Sequence, residues 1–215
     1  MPGRLIVPVV ALLAGLLVPV GLVATAPPAE AAARVSIANP DGDAVVDPTY
    51  ATSLTVRGSG FQSIQGGHGG IYVVFGTVSS GWQPSDGGRT GVEYFYVPDS
   101  EAADNQGFQK YVAFPGSETA SSANGGTMSS SGSWSTTVTV PGAVFTAYDR
   151  ASNERRVDCR EVTCGIITFG AHGVPNGSNE TFTPISVADL YDGADAAGQA
   201  GSTGSPEAPA APGAA

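Results

Sequence analysis

Residues 157–187, VDCREVTCGIITFGAHGVPNGSNETFTPISV, contain the features that decide the fold. Both cysteines of the chain, Cys159 and Cys164, lie in this stretch. In the segment CGIITFG, Ile167 and Phe169 fall on one face of an extended chain, which is typical of a β-strand. A cluster of turn-forming residues, PNGSN, separates this segment from a second strand-like run. The stretch therefore predicts an antiparallel hairpin, clipped by a disulfide, that closes a β-sandwich.

Similar strand-like segments recur through the rest of the chain. Residues 53–60 and 134–140 alternate between apolar and polar side chains, whereas 71–78 is apolar on both faces and is typical of a central strand. Turn signals separate these segments, and no convincing helical pattern follows the first part of the chain. We predict an all-β fold, an immunoglobulin-like antiparallel β-sandwich of about nine strands. The other predicted strands are 34–38, 92–97, 109–115, 143–148 and 181–187, and the charged segment 149–156 is predicted to be a connection.

The two ends of the chain are predicted to lie outside this fold. Residues 1–31 contain a basic residue, an apolar run and a small-residue A-x-A site, which together predict a cleaved secretory signal. A retained membrane anchor is the alternative, because the apolar run approaches the length that spans a bilayer. Residues 34–187 form the predicted immunoglobulin-like domain. Residues 188–215 are dominated by Ala, Gly, Asp, Ser and Pro and are predicted to be disordered, so no transmembrane segment is expected after signal cleavage.

Charge and cysteine content indicate an exported protein that does not bind nucleic acid. The 215 residues include 9 basic and 19 acidic ones, and the net charge of −10 argues against contact with a phosphate backbone. In an oxidising compartment, Cys159 and Cys164 are expected to form one disulfide. The enclosed loop is short, so the expected stabilisation is only about 2 kcal/mol. The predicted location is secreted or extracellular, with association to the cell envelope as a further expectation.

Residues 79–126 combine clustered aromatic side chains with long polar loops, and such loops often carry binding sites. A small flat apolar molecule, such as haem, is the ligand class that we expect for an aromatic surface of this kind. The opposing interpretation is that the tyrosines pack on the sheet with their hydroxyl groups reaching water, and that the histidine is an exposed loop residue. The candidate ligand-binding residues are Trp82, Tyr94, Tyr96, Tyr111 and His68.

The sequence offers few groups for catalysis or metal binding. The chain has two histidines, His68 and His172, and it lacks the G-x-S-x-G pattern of a nucleophile elbow. Most of its carboxylates lie in loop-like contexts, where nothing marks a catalytic pair. Two cysteines and two histidines that are scattered along the chain do not predict a zinc site. We therefore predict no catalytic residue, no metal ligand and no enzymatic activity.

A family resemblance is carried by several motifs taken together. VRGSGF, GGIYVVFG, GWQPSDGG, GSWSTTVTVPG and VDCREVTCGIITFGAHG resemble a module of secreted actinobacterial surface proteins, the immunoglobulin-like domain that accompanies haem-transport-associated (HtaA) domains. The final hairpin is also similar to the sandwich of neocarzinostatin-type apoproteins. The resemblance covers residues 34–187 and implies a sandwich fold at the cell surface. Haem binding does not carry over, because the sequence contains no HtaA domain, and one disulfide stands where the neocarzinostatin-type sandwich has two.

These observations predict a secreted, non-enzymatic immunoglobulin-like module that contacts an unidentified cell-envelope or extracellular partner. No cofactor is assigned on this interpretation. The alternative is a small-ligand binding protein associated with haem uptake. Its binding residues would be Trp82, Tyr94, Tyr96, Tyr111 and His68.

Overall fold

A computed structural model describes residues 32–191. The predicted signal segment, residues 1–31, and the greater part of the predicted tail, residues 192–215, lie outside the described residues. Within 32–191, no helix is long and apolar enough to cross a membrane. The ordered elements in this range are strands and three short 3-10 turns.

The strands follow the predicted segments closely. They are numbered in chain order: β1 (Arg34–Ala38), β2 (Val45–Val46), β3 (Thr52–Ser59), β4 (Gly70–Val78), β5 (Tyr94–Tyr96), β6 (Gln109–Ala113), β7 (Trp134–Val140), β8 (Val144–Tyr148), β9 (Glu154–Asp158), β10 (Cys164–Gly170), β11 (Thr181–Pro184) and β12 (Ser186–Val187).

Two main sheets form the layers of a β-sandwich, which confirms the predicted fold class. One sheet has three strands in the order β1-β3-β7, all antiparallel. The other has five strands: β10 lies between β11 and β4, and both β5 and β6 pair with the far edge of β4. Two small ribbons, β8-β9 and β2-β12, complete the structure, and β2-β12 is the one parallel pair among these strands.

The inner faces of the two sheets enclose the main core. Leu54 and Val56 of β3 are fully buried, as are Ile71, Val73 and Phe75 of β4. The alternation predicted for β3 therefore places its apolar side chains inward. Burial of each such side chain stabilises the fold by roughly 1.5–3 kcal/mol relative to an exposed position.

The outer face of the five-stranded sheet is also apolar, as expected for β4. Its side chains form a second cluster, which we call the outer-face cluster. Loops 79–93 and 114–127 lie over this face, with Trp82 from the first loop and Ala120 and Ala123 from the second packed against it. The buried members are Tyr72, Val74, Trp82, Tyr94, Tyr111, Ala113, Ile167, Phe169 and Ala171.

The disulfide and the hairpin are both present, in a slightly different relation from the one predicted. Cys159 and Cys164 are bonded, with their Cα atoms 5.3 Å apart. The β10–β11 hairpin forms with Thr168 opposite Thr181. The disulfide closes the turn from β9 into β10, and β9 pairs with β8 rather than with β10. The disulfide therefore joins the end of β9, in the β8-β9 ribbon, to the start of β10, the first strand of the hairpin in the five-stranded sheet.

Two sequence-based assignments need correction. The charged segment 149–156 was expected to be a connection, but Glu154 begins β9, whose exposed side chains hide the strand from a hydrophobicity pattern. The predicted strand 181–187 is interrupted at Ile185, whose amide donates to the carbonyl of Cys164. The chain beyond Ile185 leaves the large sheet and pairs with β2.

The ordered contacts also continue past the predicted domain boundary at residue 187. The amide of Ala188 donates to Val46, the amide of Leu190 donates to the buried carboxylate of Asp47, and Tyr191 packs edge-on against Tyr50. The described residues of the predicted tail, 188–191, are thus held by the sandwich.

Candidate functional site

One end of the sandwich carries a groove made of two adjoining depressions of about 520 Å³ each. We call it the end groove. Its walls are the β3–β4 connection, residues 60–69, and the β10–β11 connection, residues 171–180. The two depressions share Gln62 and Gly177. The first contains four serines, two of which, Ser130 and Ser131, come from the β6–β7 connection, and the second combines aliphatic side chains with polar ones such as Gln62 and Asn176.

Asn179 holds the two walls together. Its side chain is fully buried, accepts a hydrogen bond of 2.7 Å from the amide of Gln62 and donates one of 2.9 Å to the carbonyl of the same residue. A side-chain amide that pairs with both backbone groups of one residue fixes the relative position of two loops, in the way that a strand partner would. Thr168 at the end of β10 extends the brace by donating to the carbonyl of Asn179.

A third loop is tied to the same wall. The carboxylate of Glu180 accepts hydrogen bonds from the amide and the hydroxyl of Ser85, at 3.0 and 2.7 Å. Asn176 donates to the side-chain oxygen of Gln62 at 3.0 Å. The loops around the end groove are therefore positioned before any partner arrives, which reduces the ordering entropy that binding would cost.

Exposed apolar side chains stand at the rim of the second depression. Ile64 is 42 % exposed and Val174 is 43 % exposed, and each comes from a different wall. Pro175 and the buried Phe114 line the space between them. Scattered exposed aliphatic residues are ordinary on protein surfaces, but a pair that faces one concave space offers an anchor for an apolar group.

The two histidines of the chain meet beside this groove. The ring centroids of His68 and His172 are 5.9 Å apart, although the residues are far apart in sequence. His68 is half exposed and its Nδ1 lies 2.9 Å from Oε1 of Glu118. His172 adopts a left-handed backbone conformation, φ 54°, and its Nδ1 lies 3.4 Å from the hydroxyl of Tyr72.

His172 connects the end groove to the outer-face cluster. Strand register aligns Phe169, Tyr72 and Tyr111 in one row across β10, β4 and β6. The ring of His172 packs edge-on against Tyr111, with centroids 4.6 Å apart, and against Tyr72 at 5.8 Å. The row of aromatic rings therefore continues into the histidine pair.

The four aromatic ligand candidates lie in or against the outer-face cluster and are largely covered. Trp82, Tyr94 and Tyr111 are 8 %, 5 % and 4 % exposed, and Tyr96 is partly buried against them. The tyrosines pack on the sheet, as one of the two interpretations expected. The hydroxyl of Tyr111 does not depend on water, because it lies 2.6 Å from the hydroxyl of Thr119.

Burial raises the pKa of two phenols of this cluster. It raises the pKa of Tyr94 to about 12, with smaller contributions from Tyr96 and from the carboxylate of Glu180. Burial raises the pKa of Tyr72 as well, and the nearby Glu101 carboxylate raises it further. Tyrosine hydroxyls are protonated at neutral pH in any case, and these shifts extend the protonated range of Tyr72 and Tyr94 to more alkaline pH.

Of the five candidate ligand-binding residues, only His68 lines the end groove. The structural role of Asn179, the rim positions of Ile64 and Val174, and the meeting of His172 with His68 were not predicted. The sequence marks 175–179 as a turn, but nothing in it shows that one asparagine of that turn is fully buried against a loop more than a hundred residues away.

Comparison with known proteins adds no assignment. No protein-family model matches this chain. No curated protein sequence matches it either.

Proposed function

We propose that this protein is a secreted, non-enzymatic binding module that contacts a cell-envelope or extracellular partner through the end groove. The observation that carries the proposal is the braced pair of loops, in which Asn179 fixes the walls and leaves Ile64 and Val174 exposed at the rim. Loops that a rigid scaffold positions are the usual location of recognition residues. The disulfide is compatible with an oxidising compartment.

The lining of the end groove suits an extended polar chain that carries an apolar substituent. Serine hydroxyls and the Gln62 side chain offer hydrogen bonds along the first depression, while the second offers an aliphatic contact. The resemblance to immunoglobulin-like modules of actinobacterial surface proteins supports the same class of function. We therefore assign the groove to partner binding and the remaining sandwich surface to support.

A co-sedimentation experiment tests this proposal. The oxidised protein is mixed with the insoluble envelope fraction of the organism that produces it, and the bound fraction is measured. The groove variant carries Ile64→Asp and Val174→Asp. The matched control carries Val92→Asp and Val162→Asp, two valines that are 41 % and 45 % exposed and do not line the groove.

We expect the wild type and the control to co-sediment and the groove variant to remain in solution. Equal binding of all three proteins would show that the groove is not the contact surface. Failure of the wild type to bind would exclude the insoluble envelope as the partner and would leave a soluble extracellular molecule as the partner to test with the same variants.

A small flat ligand is the second candidate, and the position of His68 favours it. This histidine lies on the groove and next to the aromatic row that ends at Tyr72 and Tyr111. Haemin titration, followed by absorbance, tests this function, with serum albumin and an unrelated immunoglobulin-like domain as controls. A saturable one-to-one Soret shift that His68→Ala removes would support it. A shift no larger than that of the unrelated domain would exclude haem as the ligand.

A further inference from the structure

We propose that His68 and His172 together bind a divalent transition-metal ion beside the end groove, through the Nε2 atom of each ring. Imidazole nitrogen is a preferred ligand of Cu²⁺ and Zn²⁺, and Cu²⁺ forms the more stable complexes. The site depends on the tertiary structure, since the two histidines belong to loops that follow β3 and β10. It is independent of the proposed partner-binding function.

The first support is the way in which both rings are oriented. Nδ1 of His68 faces the Glu118 carboxylate, and Nδ1 of His172 faces the hydroxyl of Tyr72. Metal-binding histidines commonly donate their second ring N–H to a protein oxygen, which leaves a lone pair on the other nitrogen. In both histidines the nitrogen left for a metal is therefore Nε2.

The second support is an unsatisfied atom. Nε2 of His172 is buried and has no hydrogen-bond partner in the protein. Leaving a buried polar atom unpaired is unfavourable and rare, so such an atom calls for an explanation. A metal ion that coordinates Nε2 would satisfy it. The backbone of His172 is also left-handed, a conformation that persists where the surrounding structure fixes it.

The third support is electrostatic. None of the residues that line the two depressions is Lys or Arg, while Glu118 contacts His68 and its side chain is 79 % exposed. The whole chain has a net charge of −10, which favours the approach of a cation. His68 is half exposed, so a cation can approach its ring from solvent.

The structure also limits the number of ligands that this chain supplies. Within residues 32–191, no group of three or more His, Cys, Asp or Glu side chains is arranged to hold a metal ion. A metal at the histidine pair would therefore have two protein ligands, and water or a group of a bound partner would fill its other positions. Metal–nitrogen bonds of about 2.0–2.1 Å are expected.

Cu²⁺ binding to untagged, oxidised protein tests the site by calorimetry and by electron paramagnetic resonance. We expect one-to-one binding with hyperfine structure from two imidazole nitrogens. His68→Ala and His172→Asn should each weaken binding and reduce the spectrum to one imidazole nitrogen. Asparagine is chosen at 172 because it tolerates a left-handed backbone. Zn²⁺ should compete with Cu²⁺ for the same site.

Two further variants separate the site from general effects. Glu118→Gln should weaken Cu²⁺ binding by about 10-fold or more, since it alters the group that orients His68. Ile64→Ala, at the rim of the same groove, should leave affinity and spectrum unchanged. A double variant combines His68→Ala with His172→Asn. The proposal is overturned if the wild type shows no one-to-one Cu²⁺ binding, or if the Cu²⁺ spectrum shows the same number of coordinated nitrogens in the wild type and in the double variant.

Discussion

The two ends of the sandwich are closed in different ways. At one end the connections 47–51, 141–143 and 159–163 are short and are joined by the disulfide and by backbone hydrogen bonds. The amide of Cys159 donates to Ala143, that of Ala143 donates to Pro48, and that of Ile185 donates to Cys164. We call this the disulfide end. It offers little space between its strands because main chain fills the positions between them.

At the other end, longer loops are joined by side chains. Asn179 and Asn176 bridge to Gln62, and Glu180 bridges to Ser85. A side chain reaches across a gap that backbone pairing would close, so the strand ends remain apart and the end groove forms between them. The difference shows how one scaffold can be sealed at one end and present a shaped surface at the other.

The largest effect is expected from removing the buried brace of the groove end. Asn179→Ala removes a fully buried side chain together with the two partly buried hydrogen bonds that it makes to the amide and the carbonyl of Gln62. Each unpaired group costs about 1–3 kcal/mol, so we expect a loss of about 3 kcal/mol in the free energy of unfolding. Guanidinium unfolding, monitored by tryptophan fluorescence, measures this loss.

Asn176→Ala is the matched control for this prediction. Asn176 also reaches Gln62, but it is only partly buried and contacts the side chain of Gln62 rather than its backbone. We expect it to cost less than about 1 kcal/mol. Similar losses in the two variants would show that burial of Asn179 does not give it a special role.

The disulfide end should respond less strongly to removal of its covalent link. The bridge joins residues that are 5 apart in sequence, so it restricts only a short loop of the unfolded chain. Replacing Cys159 and Cys164 by serine should lower the free energy of unfolding by about 2 kcal/mol. Reduction of the wild type should give the same decrease and should leave the double-serine protein unaffected. A loss well above that of Asn179→Ala would reverse the ranking of the two ends.

Sequence patterns predicted the disulfide end better than the groove end. Strands such as 134–140 and 34–38 were found because apolar and polar residues alternate along them, and two cysteines in a chain predicted to be exported indicated the bridge. β9 was missed because Glu154, Arg155 and Arg156 are exposed, so no alternation marks them. This strand forms because it pairs with β8, and a hydrophobicity pattern does not show such a pairing.

The candidate site depended on information that the local sequence does not contain. One interpretation expected Tyr94 and Tyr96 to pack on the sheet, and they do, but the sequence does not show which loops cover them. His68 and His172 come together because β4 and β10 pair in a particular register. That register follows from the packing of the whole sheet, so two scattered histidines gave no metal-binding signal.

The smallest effect in this comparison is expected at Asp47. Its carboxylate accepts a hydrogen bond from the amide of Leu190 and so holds residues 188–191 against the disulfide end. Burial alone would raise the pKa of this carboxyl, but hydrogen bonds from the amides of Leu190, Tyr50 and Thr49 outweigh it and hold the pKa below its usual range. Because the unfolded state binds the proton more tightly, Asp47 contributes stability that is fully present above about pH 4 and is lost as the pH falls through its folded value.

Asp47→Asn should therefore lower stability at neutral pH and flatten its decline under acid. The difference in unfolding free energy between the wild type and this variant should shrink as the pH falls below about 4, and chymotrypsin should cleave after Tyr191 more readily in the variant. Asp41→Asn, an exposed carboxylate close by in sequence, serves as the control and should leave both readouts unchanged. A wild-type advantage that persists unchanged at low pH would mean that the Asp47 side chain acts through packing, and that its charge does not hold Leu190 in place.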